Sequence, residues 1–280
     1  MEVIIKYFET ISSAHRAIIL VGGLTFFWVL ESIIPLFSFN YSKWKHAKVN
    51  IFFTITTIVI NFTLAFILIA TVDFVANNQW GLMHLLDIPL VMKVIVGLAL
   101  FDFFGAYLPH YIEHQVKWLW MFHLVHHTDQ NVDTTTANRH HPGESVLRFV
   151  FTTIAVLVLG APIWLVFLYQ SLSVVFTQFS HSNIVIPNWL DRLLLTVLVT
   201  PNMHRVHHHY RIPYTDSNYG NMFSIWDRIF GTYIVADNTK LKYGLDTYMD
   251  VKEAEDIGTI LMLPFREYHP YIDYAEEEKL

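Results

Sequence analysis

The chain has 280 residues, of which 54% are apolar and only 15% are charged. A soluble domain is usually about 45–50% apolar and about 25% charged, so this composition favours an integral membrane protein. The net charge of −6 offers no basic footprint for nucleic acid, and the lack of cysteine excludes disulfides, thiolate iron–sulfur clusters and C-x-x-C-H haem attachment. The 16 histidines are the compositional anomaly.

The N-terminal half contains three apolar stretches that are long enough to cross a bilayer. They run over about 17–39, 50–72 and 88–108, each near the roughly 20 residues that a spanning helix needs. The preceding segment, 1–16, mixes apolar and charged residues and predicts a short interfacial helix.

A fourth apolar stretch, 148–180, is too long for one crossing at a rise of about 1.5 Å per residue. Gly160-Ala161-Pro162 interrupts it near the middle, so we predict a helical hairpin that enters the membrane and returns. The sequence therefore predicts an all-α integral membrane protein with about four transmembrane elements, three spans plus this hairpin, and a helical cap outside the lipid.

Lysines predict how these elements cross the membrane. The loop Tyr41–Val49 carries three lysines, whereas Asp73–Asp87 carries no Lys or Arg. By the positive-inside rule the first loop is cytoplasmic and the second is not. With the hairpin in place, every dense histidine cluster then lies in the cap on the cytoplasmic face.

Three clusters contain most of the histidines that bear on function. They are His110-Tyr-Ile-Glu-His114, His123-Leu-Val-His126-His127 and His204-Arg-Val-His207-His208, and four further histidines lie near them in sequence: His140, His141, His181 and His209. Helical positions i, i+3 and i+4 share one face, so each cluster should direct its imidazoles into one small volume.

Several helices that each present two or three imidazoles predict a shared metal site. Eight or nine nitrogen ligands are too many for one ion and suit two ions with partly open coordination. Neutral imidazole suits zinc, copper, iron and nickel, and redox chemistry at a membrane favours iron.

Other interpretations of the histidines remain open at this point. His110 to His114 also spells H-x-x-E-H, typical of one class of zinc protease, but that hydrolase would leave the other two clusters unexplained. A membrane metal transporter would need ionisable residues within several spans, and a bis-histidine haem carrier would need paired histidines inside them. Ordinary core or interface positions suit four isolated histidines: His15, His46, His84 and His269. His209 suits either a supporting position behind the ligands or a surface position.

The order of these motifs resembles the fatty acid hydroxylase / sterol desaturase superfamily over about 98–233. The resemblance extends beyond the histidine boxes. It includes Phe101-Asp102, Trp120 to Asp129, Arg139-His-His141-Pro142, Phe179-Ser-His181-Ser-Asn183, Asn218-Tyr219-Gly220 and Trp226-Asp227-Arg228-Ile-Phe-Gly231.

The resemblance implies a non-haem di-iron centre that uses O2 to oxidise a C–H bond of a membrane lipid, such as a sterol, a fatty acyl chain or an ether lipid. Hydroxylation is the leading prediction and desaturation the alternative. By motif the metal ligands would be His110, His114, His123, His126, His127, His181, His204, His207 and His208. Thr177 and Gln178 stand where some members have a further histidine, and no catalytic side chain is assigned beyond the ligands.

Seven residues are predicted to support the ligands from behind: Asp102, Asp129, Asp133, Arg139, His141, Asn183 and Asp227. Glu31, inside the first span, lies either near the interface or towards the site. The sequence contains no G-x-G-x-x-G fingerprint, so electrons should come from a separate donor, cytochrome b5 or ferredoxin with its reductase.

These predictions divide the chain into three parts. Residues 1–97 would form the interfacial helix and first spans, 98–235 the fatty acid hydroxylase-like catalytic region, and 236–280 a C-terminal cytoplasmic tail that ends in the acidic stretch 271–280. The absence of a fused cytochrome domain favours a bacterial inner membrane over the endoplasmic reticulum.

Overall fold

The computed structural model describes residues 1–38, 41–248 and 250–270, and the predicted acidic tail at 271–280 lies outside them. The described residues form helices, joined by loops with isolated β-bridges, so the all-α prediction is confirmed. The helices are α1 (Glu2–Glu9), α2 (Ser13–Ile33), α3 (Lys43–Asn77), α4 (Leu82–Leu85), α5 (Leu90–Asp102), α6 (Leu108–Gln115), α7 (Lys117–His127), α8 (Pro142–Leu159), α9 (Ile163–His181), α10 (Asn188–Leu194), α11 (Pro201–His207), α12 (Ile225–Ile229), α13 (Val251–Glu255) and α14 (Ile257–Met262). A π-helical segment covers Phe103–Tyr107, and 3-10 turns cover Thr134–Asn138, Asn238–Lys240 and Leu263–Phe265.

Five helical segments in the described part of the chain are long and apolar enough to cross a membrane. They are Ser13–Ile33, Lys43–Leu85, Leu90–Gln115, Pro142–Leu159 and Ile163–His181. This agrees with three spans plus a hairpin of two helices. Large apolar side chains such as Phe62 and Phe66 are exposed on the outer surface of α3, where lipid would surround them.

The predicted hairpin turns at Gly160, which caps α8 in the left-handed conformation with φ of +68°. The turn packs against the loop after α3, where Gly81 also has positive φ, +101°. A Cβ on Gly81 would overlap the Gly160 backbone, and a Cβ on Gly160 would overlap the Trp80 carbonyl. The two turns therefore touch at the end of the bundle opposite the histidine clusters.

The helix α3 is longer at both ends than the predicted span 50–72, and it includes most of the predicted loop Tyr41–Val49. The Ser42 side chain accepts a hydrogen bond from the Lys45 N–H and so starts the helix early. Its 35 residues extend over roughly 50 Å at about 1.5 Å each, beyond a hydrocarbon core about 30 Å thick. The first turns of α3 therefore belong to the cap.

The first and third spans also end at different places from those predicted. Helix α2 stops at Ile33 instead of continuing to Phe39, because the residue before Pro35 is disfavoured in a helix. The third span does not stop at Leu108: it passes through the π-helical segment into α6 and ends at Gln115. Hydropathy located the part of each helix that crosses the lipid but not the residues at which the helix begins and ends.

Two apolar cores position the site. The membrane core packs α5, α8 and α9 together through Phe101, Ala155 and Leu165, all with 0% exposure. The cap core joins the first turns of α3 to α7 through Phe53 and Leu124. The histidine clusters lie where these two cores meet, at the cap ends of the apolar helices.

Candidate metal centre

Four helices bring together all nine predicted ligands. Helix α6 carries His110 and His114, α9 ends at His181, and α7 carries the first H-x-x-H-H motif. Helix α11 carries His204 and His207 of the second motif, and His208 directly follows it. Before α6, the π-helical segment changes the register of the span, and Pro109 in the first turn has no N–H to leave unpaired. The imidazoles of α6 therefore continue a membrane helix into the site.

The nine imidazoles form two groups, and within each group the ligand nitrogens all lie within 4.8 Å of one another. The first group is His110, His114, His123, His127 and His207, and the second group is His126, His181, His204 and His208. Each H-x-x-H-H motif contributes to both groups, because neighbouring residues point about 100° apart around a helix of 3.6 residues per turn. Each H-x-x-H-H motif was expected to direct its imidazoles into one small volume, and instead it divides them between the two groups. The motifs of α7 and α11 therefore connect the two groups.

Ring nitrogens face one another at short distances inside the groups. His110 Nε2 lies 3.1 Å from His123 Nε2, although each ring already uses Nδ1 for another contact. In a neutral imidazole with a protonated Nδ1, Nε2 carries only a lone pair. Two such lone pairs at 3.1 Å repel each other unless a cation lies between them, so this pair fits a metal ion bound at about 2.0–2.1 Å from each nitrogen.

Other buried ring nitrogens have no hydrogen-bond partner among the described residues. They include Nε2 of His114 and of His207 and both nitrogens of His208. An unpaired buried polar atom is costly, and a metal ion would satisfy it. The donor set therefore fits a metal centre on its own geometry.

Burial keeps the cap histidines of the centre in the neutral form that binds metal. Burial lowers the pKa of His123 to about 3 despite the nearby Glu144 carboxylate. Burial, followed by neighbouring imidazoles, lowers the pKa of His126 and His208 well below the usual value. Burial lowers the pKa of His127, His204 and His207 in the same way.

A buried carboxylate pair that sequence reasoning did not assign lies behind His123. Glu144 Oε1 is 2.8 Å from the Nδ1 atoms of both His123 and His140. Arg148 bridges Glu144 and Glu113, at 2.8 Å from each. Glu113, the acid of the H-x-x-E-H motif, is thus held in an ion pair, which gives the zinc-protease interpretation no support.

Two of the predicted supporting residues, Asp102 and Asp227, hold the loop before α12. Asp102 accepts hydrogen bonds from the N–H groups of Met222 and Phe223. Asp227 accepts from the N–H groups of Tyr219 and Gly220, at 2.8 Å each. Both aspartates therefore act on the backbone next to the histidines.

The other supporting candidates form a polar layer between α3 and the loop after α7. Asp129 contacts His46 Nε2 at 2.8 Å, and Asp133 contacts His46 Nδ1 at 3.2 Å. Burial raises the pKa of Asp129, but the His46 ring and several hydrogen bonds lower it by more. The net pKa is therefore well below the usual value, and this carboxylate stays charged. Arg139 donates to the Val125 carbonyl of α7. His46 is a buried core residue, as expected.

The remaining predicted residues stabilise turns. His141 caps α8 by accepting from the Gly143 N–H, and its Nε2 lies 3.2 Å from the Leu261 carbonyl. Asn183 contacts Phe37 and Glu31. Within the described residues, none of the seven supporting candidates makes a hydrogen bond to one of the nine imidazoles. His209 is buried in the loop after α11, outside both groups.

The histidines are instead oriented by groups that side-chain patterns do not reveal. Backbone carbonyls of Thr177, Ser217 and Tyr219 and the carboxylates of Asp216 and Glu144 contact their Nδ1 atoms at 2.7–3.0 Å. A carbonyl carries no sequence signature, and Asp216 stands outside every histidine box.

The helical fold and the paired histidine groups define a multi-pass α-helical membrane protein with a candidate dimetal centre. The fatty acid hydroxylase family model matches residues 94–232, which contain all nine predicted ligands. The chain belongs to the fatty acid hydroxylase / sterol desaturase superfamily.

Curated relatives agree with this membership. The chain is 27% identical to ornithine lipid hydroxylase OlsE of Rhizobium tropici over 52% of its own length and 43% of the relative's. It is 34% identical to human alkylglycerol monooxygenase over 51% of its own length and 31% of the relative's. With the Danio rerio alkylglycerol monooxygenase it shares 30% identity over 81% of its own length and 48% of the relative's. The chain thus spans less than half of each of these relatives, and no solved structure shows a significant match.

Proposed function

We propose that the chain is an O2-dependent lipid hydroxylase, or mono-oxygenase, that holds two non-haem iron ions at the nine histidines. The observation that carries this proposal is the convergence of nine imidazoles into two groups with unpaired inward nitrogens. Imidazole-only ligation suits iron, and an isolated zinc hydrolase site would not need a second group.

The named activities of the relatives support a lipid substrate and hydroxylation. The three relatives above are named as an ornithine lipid hydroxylase and alkylglycerol monooxygenases, and further relatives are cholesterol 25-hydroxylase-like proteins. The position of the histidines at the cap ends of apolar helices suits a substrate that approaches from the bilayer. Desaturation of a lipid is the alternative outcome at the same centre.

The proposed reaction converts R–H, O2, two electrons and two protons into R–OH and water. When bound, iron would supply the redox chemistry that activates O2. The chain's own residues keep the imidazoles neutral, aim their nitrogens inwards and exclude bulk water through the two apolar cores. The electrons would come from a separate donor, cytochrome b5 or ferredoxin with its reductase, on the cytoplasmic face.

Metal analysis of the detergent-purified protein tests the proposal. We expect about two irons per chain and no haem absorption band, whereas one zinc and no iron would favour a hydrolase. His207→Ala in the first group and His126→Ala in the second should each lower the metal content and abolish lipid oxidation. His15→Ala, which alters an exposed histidine outside both groups, should retain metal and activity.

Oxygen-18 labelling distinguishes the two reaction types. Membranes that contain the protein are supplied with labelled O2 and a reductant, and the masses of the extracted lipids are measured by mass spectrometry. A label in the lipid indicates hydroxylation, and a loss of two hydrogens without label indicates desaturation.

The histidine variants provide the contradicting outcome for the metal centre. Full lipid-oxidising activity in both His207→Ala and His126→Ala would refute the shared metal centre.

A further inference from the structure

One short segment after α11 orients three of the five histidines in the first group. We name this segment, Asp216–Tyr219, the orienting segment. Its contacts are Asp216 Oδ1 to His114 Nδ1 at 3.0 Å, the Ser217 carbonyl to His207 Nδ1 at 2.7 Å, and the Tyr219 carbonyl to His110 Nδ1 at 2.8 Å. A fourth histidine, His123, has Glu144 Oε1 at 2.8 Å.

The orienting segment is held in place by contacts that do not involve the histidines. Asn218 lies in the left-handed region with φ of +53°. Its side-chain amide donates to the carbonyl of Met203 in α11 at 2.9 Å and exchanges two hydrogen bonds with the backbone of Ile234. Asp227 binds the N–H of Tyr219 at the end of the segment. The acceptors are therefore in position before any metal binds.

The second group has less support of this kind. His181 has the Thr177 carbonyl 2.8 Å from its Nδ1, and the Asn218 carbonyl is a backbone partner of His204. The Nδ1 atoms of His126 and His208 have no hydrogen-bond partner among the described residues. The two groups therefore differ in how firmly the protein fixes ring orientation and tautomer.

We propose that the two groups form unequal metal positions, the first group binding its ion tightly and the second group binding an exchangeable ion. The inference rests on the dimetal centre of the proposed function. An outer acceptor fixes the tautomer and the ring orientation, and a carboxylate acceptor also makes the ligand nitrogen more basic. Asp216 and Glu144 supply that carboxylate to two ligands of the first group and to none of the second.

Titration of the metal-free protein with Co2+ alone tests the inference, with bound metal and visible absorption followed at each addition. The unmodified protein should bind in two separable steps. Asp216→Ala should weaken the tight step about 10- to 100-fold and leave the weak step within about twofold. Asp216→Asn, which keeps an acceptor oxygen, should have a smaller effect and serves if the alanine variant is not recovered folded.

Three further variants complete the experiment. His114→Ala should remove the tight step, and His208→Ala should remove the weak one. Asp256→Asn is the matched control, because this exposed aspartate caps α14 and contacts no histidine; both steps should be unchanged. The side chain of Asp216 is 34% exposed, so its substitution should leave the melting temperature of the metal-free protein near that of the unmodified chain.

Several outcomes would overturn the inference. These are two steps of equal affinity, an equal effect of Asp216→Ala on both steps, an unchanged tight step in that variant, or loss of the tight step in His208→Ala. A protein that binds Co2+ twice with equal affinity would leave the proposed function standing and remove only this inference. A protein that binds no metal would remove both.

Discussion

Glu31 of α2 is a carboxylate on an apolar helix, and its role depends on neighbours far away in sequence. One oxygen accepts from the N–H groups of Thr134 and Asn183, at 2.7 and 2.8 Å, and the other lies 3.4 Å from Lys43 Nζ. The side chain therefore points inwards and joins α2 to the 3-10 turn before α8 and to the end of α9. From the sequence, Glu31 could lie near the membrane interface or point towards the site, because backbone N–H groups such as those of Thr134 and Asn183 leave no mark in a sequence pattern.

Glu31→Ala should destabilise the protein, because it leaves two buried N–H groups without an acceptor at a cost of about 1–3 kcal/mol each. The melting temperature in detergent should fall by roughly 2–4 °C for each kcal/mol lost. Glu31→Gln keeps one acceptor oxygen and should fall less. Glu9→Ala, on the exposed face of α1, is the control, and a melting temperature equal to that of the unmodified protein in Glu31→Ala would contradict this role.

The hairpin of α8 and α9 depends on close contact between two turns. The turn at Gly160 and the turn at Gly81 both need positive φ, and their backbones approach too closely for a Cβ on either residue. Sequence alone indicated the break in 148–180 through Gly160-Ala161-Pro162. It could not indicate that the loop after α3 occupies the space beside it.

Gly160→Ala should destabilise the hairpin through both strain and overlap. A left-handed non-glycine residue costs about 1–2 kcal/mol, and contact with the Trp80 carbonyl adds to this. Gly231→Ala separates the two effects, since Gly231 has φ of +70° with nothing within 4 Å of its Cβ position. Thermal unfolding should show a larger loss for Gly160→Ala, and equal losses in the two variants would indicate that the turn contact contributes nothing.

The histidine motifs likewise combine a local pattern with an arrangement that only packing sets. Spacing of i, i+3 and i+4 placed imidazoles on single helix faces, and the helices form as expected. A rotation of about 100° between neighbouring helical residues lets each H-x-x-H-H motif face two directions. The packing of α7 and α11 beside α6 and α9 decides which histidine joins which group.

The fold brings the start of α8 and the end of α9 together beside the cap. The loop after α3 and the Gly160 turn lie together at the other end. Exposed Lys45 and Lys48 lie at the cap end of α3, which supports a cytoplasmic cap by the positive-inside rule.

The lack of native cysteine makes this orientation directly measurable. Asn78→Cys and Lys252→Cys place single thiols at exposed positions at the two ends of the molecule. In intact cells a membrane-impermeant maleimide should label Asn78→Cys and should label Lys252→Cys only after permeabilisation. Labelling of both thiols in intact cells would contradict the hairpin, and the reverse pattern would contradict a cytoplasmic cap.

The membrane class, the helical spans and the hairpin could be predicted from the sequence, because apolar runs are local properties of the chain. Helical spacing also predicted which imidazoles share a helix face, whereas the set of nine candidate ligands followed from the family resemblance. The early start of α3 has a local cause, the Ser42 cap, which hydropathy does not detect. The division of the candidate ligands into two groups and the partners of their outer nitrogens depend on tertiary packing. Those partners include Glu144, Asp216 and the Tyr219 carbonyl, which meet the histidines only after the chain has folded back on itself. Such contacts join residues up to 109 positions apart, and no local pattern records them.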